Sequence, residues 1–130
     1  MNTMQNKITI YRGSHQIGGC ATEISTGKHR VIIDFGANLP DNDKEDVMTD
    51  EELTETVFDG RLCDGVLFTH YHGDHMGLYK KIPHWTPICF CLKPAERKSC
   101  LPEIFANMVL WGKIMCWKEW CRNILGSWIF

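Results

Sequence analysis

The sequence predicts a layered α/β domain, one mixed β-sheet with flanking helices. Three observations carry that prediction. Strand-length segments recur early, at Lys7 to Arg12, Ala21 to Ser25 and Arg30 to Asp34. A helix start signal follows at Thr49 to Glu52. The apolar run Gly65 to Thr69 then returns the chain to strand character.

Each element has its own reason. Ile8 and Ile10 alternate with polar neighbours, the pattern of a half-buried strand, and Gly13 with the pair Gly18-Gly19 breaks it. Thr26-Gly27-Lys28-His29 suits a short hairpin loop between the second and third strands. The third strand is nearly all apolar, as a strand covered on both faces should be. Asp41 to Asp50 reads as loop. Thr49 and Glu52 form a capping box for a helix to about Phe58, with Leu53 and Val57 on its inner face. Arg61 to Asp64 is a turn, Met76 to Lys81 one or two helical turns ended by Ile82-Pro83, and Thr86 to Phe90 a further short strand.

Composition bounds the function. A chain of 130 residues holds one core. A formal net charge of −2 argues against a dominant polyanion-binding surface. The polar start Met1 to Lys7 is followed by no apolar signal region, and no stretch reaches the roughly 18 apolar residues of a membrane span. Seven cysteines without export signals point to free thiols in a reducing cytoplasm, the expected location. Residues 41–55 hold eight acidic residues and one lysine, which reads as a solvated face. After Asp74 there is no aspartate, yet five cysteines and all five tryptophans lie there, a shift that marks a boundary.

The chemistry concentrates in Thr69-His70-Tyr71-His72-Gly73-Asp74-His75. Three imidazoles and a carboxylate fall within six residues, directly after Val66-Leu67-Phe68. Neutral imidazole nitrogen and carboxylate oxygen bind zinc at about 2.0–2.2 Å. His70 and His72, two apart, can serve one ion, and the adjacent Asp74 and His75 a second. Asp74 would ligate one metal and take a proton from the attacking water with its other oxygen, which makes it the expected catalytic residue. Asp34, where the third strand leaves the sheet, either hydrogen-bonds local backbone or orients a metal ligand from below. His15 and His84 read as solvated or packed histidines.

The H-x-H-x-D-H motif after an apolar strand resembles the signature of the metallo-β-lactamase superfamily of binuclear metallohydrolases. Upstream, Ile8 to Gly13, then Ile17-Gly18-Gly19, then Arg30 to Pro40 with Ile33-Asp34-Phe35-Gly36, look most like the ribonuclease J and β-CASP branch. The resemblance covers roughly residues 7 to 90. It implies an αββα fold, of which residues 1–91 would form the N-terminal half, and a pair of zinc ions per complete site, with manganese or iron able to replace them. The implied reaction is hydrolysis of a phosphodiester, as in RNA, by a metal-activated water. Two alternatives stand beside it, a thioester or small-ester hydrolase and an inert metal-binding fragment or interaction protein.

The family takes further metal ligands from later loops, and here the pattern departs. His84 is the only histidine after His75, and no later aspartate is available to bridge the metals. The C-x-C pair Cys89 and Cys91, and Cys116 with Cys121, lack the spacing of a structural zinc site. Residues 92–130 form a Cys/Trp-rich tail. It reads either as an amphipathic segment for a partner or membrane surface, or as a shifted reading frame ending a truncated product, and its composition favours the latter. One half of the fold would leave an apolar sheet face exposed, a route to self-association.

Overall fold

The computed structural model describes residues 5–40, 47–69 and 71–90. His70 and residues 91–130, with the cysteines and tryptophans of the tail, lie outside them. The described elements are β1 (Lys7–Arg12), β2 (Ala21–Ser25), β3 (Arg30–Ile33), α1 (Asp50–Val57), β4 (Gly65–Phe68), the single helical turn α2 (Gly73–Met76) and β5 (Ile88–Phe90), with a 3-10 turn at Tyr79–Lys81. The strands form one mixed sheet in the order β1-β2-β3-β4-β5. β1 to β3 pair antiparallel, while β3-β4 and β4-β5 pair parallel. Parallel pairing follows from the connections: α1 spans the β3–β4 crossover, and α2 with the 3-10 turn spans β4–β5.

Register divides the sheet into two unlike faces. Thr9, Glu23, Ile32, Val66 and Ile88 stand opposite one another across the five strands. That face carries the core, where Ile32, Val66, Phe68 and Ile88 pack with Phe35, Leu53, Val57, Met76, Leu78 and Ile82. Leu53 and Val57 lose all contact with water, worth about 1.5–3 kcal/mol each. The other face carries Ile8, Ile10, Ile24, Ile33 and Leu67. Ile8 and Ile10 remain 68% and 56% exposed there.

α1 begins as its sequence dictates. Glu52 N–H donates to Thr49 Oγ1 at 3.1 Å, and Thr49 N–H donates to Glu52 Oε2 at 2.8 Å. Asp50, Glu51 and Glu52 place negative charge at the positive end of the helix dipole, and Phe58 is the C-cap. In the 26–29 hairpin, Thr26 Oγ1 accepts from the amides of Lys28 and His29.

Three boundaries differ from the sequence expectation. β3 ends at Ile33, because Asp34 turns into the left-handed region at φ 59°. β5 starts at Ile88, not Thr86: Thr86 N–H closes a turn onto the Pro83 carbonyl, and Pro87 has no amide to give. The helical turn expected to open at Met76 opens at Gly73, inside the histidine loop. Gly73 and Asp74 are poor helix formers, so tertiary hydrogen bonds rather than propensity make that turn.

A buried ionic cluster, not legible in the sequence, ties β1, β2 and β3 to α1. Glu23, 2% exposed, accepts from Tyr11 Oη at 2.5 Å and from Arg30 Nε at 2.7 Å. Arg30 also donates to the Val57 carbonyl at the end of α1. Burial opposes the Glu23 charge, but the Tyr11 and Arg30 hydrogen bonds outweigh it and hold the carboxyl below its ordinary range. Burial likewise disfavours the Arg30 charge, and Glu23 more than offsets it.

Candidate metal centre

The histidine loop follows β4 and is gripped from two sides. On one side is the segment after β3. Phe35 N–H donates to the His75 carbonyl at 2.8 Å, Ala37 N–H to the Gly73 carbonyl at 2.9 Å, and Leu78 N–H to the Phe35 carbonyl at 3.2 Å. On the other is the glycine loop, where Cys20 N–H donates to the Asp74 carbonyl at 3.0 Å and the Cys20 carbonyl accepts from Gly36 at 3.0 Å. The carbonyls of Asp74 and His75 are thereby both held by residues remote in sequence.

Glycines make this grip close enough. A Cβ on Gly36 would lie 1.7 Å from the Asp74 carbonyl oxygen and 2.7 Å from the His75 nitrogen. Gly18, at φ 77°, sits where a Cβ would come within 2.8 Å of Asp74 Cβ. Only glycine permits both the conformation and the approach.

Asp34 is the centre's anchor. It is 5% exposed, and its amide still donates to the Leu67 carbonyl at 2.9 Å. Beyond its left-handed turn, the carboxylate bonds Thr69, just past the end of β4. Oδ1 accepts from Thr69 N–H at 2.8 Å, and Oδ2 accepts from Thr69 Oγ1 at 2.7 Å. Oδ2 also lies 2.8 Å from His75 Nδ1. The carboxylate's partners are thus not local backbone but Thr69, 35 residues on, and the His75 ring, 41 residues on, as the orienting reading of Asp34 requires. An ionised carboxylate only accepts, so the contact places the proton of neutral His75 on Nδ1. Nε2 then turns a lone pair towards Asp74 Oδ2, 3.5 Å away. Two lone-pair atoms facing one another across that distance suit a cation between them.

The expected ligands are thus unevenly placed. Asp74 and His75, both partly buried, converge. His72, at the N-cap of α2, is exposed and its ring meets the Tyr71 ring edge-on at 4.7 Å. His70 lies outside the described residues. Among the described residues no three His, Cys, Asp or Glu side chains form a metal-binding group. The donors fit a divalent metal in kind, with two of the four expected ligands brought together.

Other candidates stand apart. His15 is exposed in the glycine loop, and exposed His84 packs edge-on against Trp85 at 4.7 Å. Cys89 is fully buried. Cys20 adjoins the centre, where burial first, then the charges of Asp34 and Asp74, push its thiol above the ordinary range. A thiol raised above its ordinary range keeps its proton at neutral pH. Sequence reasoning passed over Cys20, Gly36 and Arg12; for Gly36 the signal was a glycine directly after the Asp34-Phe35 strand exit.

Comparison with known proteins places the chain in a lineage. A family model described as the metallo-beta-lactamase superfamily matches residues 20–107. The chain is similar to a lactamase-like protein of Pestalotiopsis microspora, 36% identical over 80 residues, covering 58% of this chain and 23% of the relative. It is similar to the transcription termination factor FttA of Methanosarcina mazei, 32% identical over 72 residues, covering 55% of this chain and 11% of FttA. An atrochrysone carboxyl ACP thioesterase of a Cryptosporiopsis species is 38% identical over 55 residues, covering 42% of this chain and 15% of the thioesterase. The chain spans less than a quarter of the length of each of these relatives. The FttA likeness accords with the β-CASP-like branch expected from the N-terminal loops. A family match over more than half of its length fixes the lineage: this chain belongs to the metallo-beta-lactamase superfamily.

Proposed function

We propose that this chain carries the first part of a metal-dependent hydrolase site that cleaves phosphodiesters, RNA being the substrate class. The observation that carries the reading is the pairing of His75 Nε2 with Asp74 Oδ2 at 3.5 Å, with Asp34 fixing the imidazole from behind. His70, His72, Asp74 and His75 are the ligands, and two zinc ions are the metal of a complete site, manganese or iron being able to substitute. When bound, such metals supply a water acidic enough to ionise near neutral pH and positive charge for the phosphoryl oxygen.

The chain's own residues supply position and proton handling. Asp34 holds His75 in one tautomer and one ring orientation, which ligation needs. Asp74 has two carboxylate oxygens; one would ligate, leaving the other to accept a proton from the attacking water. Cys20, Gly18 and Gly36 leave the Asp74–His75 step little room to move. RNA is favoured by the likeness to a factor named for terminating transcription, a process whose product is RNA. The likeness to an ACP thioesterase supports a second reading, thioester hydrolysis.

Turnover tests both. Full-length chain, loaded with zinc or manganese, is assayed on a single-stranded RNA oligonucleotide and on an acyl thioester, beside Asp74→Ala. RNA cleavage lost in Asp74→Ala supports the first reading, and thioester cleavage lost in that variant supports the second. Metal binding without turnover of either substrate class would leave the third alternative, an inert metal-binding fragment.

A further inference from the structure

We propose that Arg12 is the positioning residue of the metal loop, acting through backbone carbonyls to set the Asp74–His75 step. It rests on the hydrolase reading for its consequence but not for its geometry. Arg12 ends β1 and is 4% exposed. All three guanidinium nitrogens are engaged. Nε donates to the Gly19 carbonyl at 2.7 Å, and Nη1 to the Met48 carbonyl at 2.9 Å. Nη2 donates to the Gly36 carbonyl at 2.5 Å and to Asp50 Oδ1 at 2.7 Å.

Those partners are the two walls of the grip. Gly36 lies close against the Asp74–His75 peptide, and its amide donates to the Cys20 carbonyl. Gly19 precedes Cys20, whose amide holds the Asp74 carbonyl. One planar cation therefore fixes the spacing between the glycine loop and the 35–37 segment, and the metal loop lies between them. Asp50 completes the assembly: its Oδ1 also accepts from Asn38 N–H at 3.0 Å, so the start of α1 backs the same wall. Lysine cannot replace this, because a point ammonium does not reach four acceptors in the plane of a guanidinium fork.

Arg30 supplies the control. It is equally buried, 5% exposed, and also bonds a carboxylate and a carbonyl, but its partners are Glu23 and Val57 rather than the walls of the metal loop. The experiment uses full-length Arg12→Lys and Arg30→Lys. It reads residue-resolved amide exchange in metal-free protein, then zinc affinity by chelator competition. In Arg12→Lys, exchange at Cys20, Phe35, Gly36 and Ala37 should quicken on the order of tenfold relative to the β2–β3 amides. Zinc affinity should fall about 10–100-fold. Arg30→Lys should spare both.

Unchanged exchange at those four amides in folded Arg12→Lys overturns the proposal, as does an equal effect from Arg30→Lys. Should Arg12→Lys not fold, Asp50→Ala removes one of the four contacts and should quicken the same amides by a smaller factor; no change there overturns it too. A wild-type chain that binds no zinc sinks the hydrolase reading, while the exchange comparison still decides the role of Arg12.

Discussion

Replacing Gly36 by alanine should both destabilise the fold and disable the metal loop. The added Cβ would meet the Asp74 carbonyl oxygen at 1.7 Å and the Asp74 carbonyl carbon at 2.2 Å. Both are backbone atoms, so no side chain can swing aside. The peptide must retreat by about 1.3 Å merely to reach 3.0 Å, a distance that real Cβ contacts almost never undercut. That displacement stretches the Cys20 amide bond to the Asp74 carbonyl and the Phe35 amide bond to the His75 carbonyl. Overpacking costs about 1–3 kcal/mol and each weakened backbone bond about 1 kcal/mol, so the loss is on the order of 3 kcal/mol. For a domain of this size the melting temperature should fall roughly 10–20 °C. Two controls isolate the contact. Gly73→Ala, in the loop itself but with open space around its Cβ, should be neutral or stabilising by up to about 1 kcal/mol. Gly60→Ala, at φ 93° with nothing within 4 Å, should cost only the backbone strain of about 1–2 kcal/mol. Thermal unfolding and zinc titration of all three variants form the assay. Gly36→Ala melting and binding zinc like Gly73→Ala would refute the steric reasoning.

Further outcomes follow from other contacts. Asp34→Asn keeps the shape but removes the charge behind His75, so zinc affinity should drop about 10–100-fold by isothermal titration calorimetry. Glu23 has its folded-state carboxyl below the ordinary range, so its stabilising contribution is complete above the ordinary glutamate value of about 4.3 and is lost as pH falls through the lower folded value. Urea titrations should accordingly show wild type more stable than Glu23→Gln at neutral pH, with the gap closing below about pH 4. Thr49→Ala breaks the capping box and should cost about 1 kcal/mol in the same titration while sparing zinc affinity.

What the sequence disclosed is what local physics decides. The alternation of Ile8 and Ile10 located β1 but not its buried face, since both isoleucines stay exposed, and the Thr49–Glu52 capping box located α1, because strand period and helix caps are written within a few residues. The histidine loop was legible for the same reason, its donors being adjacent. The supports of that loop were not. Arg12 reaches Gly36 and Asp50 across 24 and 38 residues, and nothing near Arg12 announces those partners. The left-handed turn of Asp34 and the start of α2 at Gly73 are likewise tertiary outcomes, set by hydrogen bonds from Cys20, Phe35 and Ala37. A side chain's type announces a ligand, but its place in space depends on carbonyls that every residue shares.

Metal content after exhaustive dialysis tests directly whether the loop from His70 to His75 is a metal centre. Full-length wild type, Asp74→Ala and His75→Ala would be loaded with zinc, dialysed against metal-free buffer and measured by elemental mass spectrometry. Wild type should retain zinc and both variants should lose it, with the far-ultraviolet circular dichroism unchanged. Equal zinc in all three proteins, or none in folded wild type, would contradict a metal centre there.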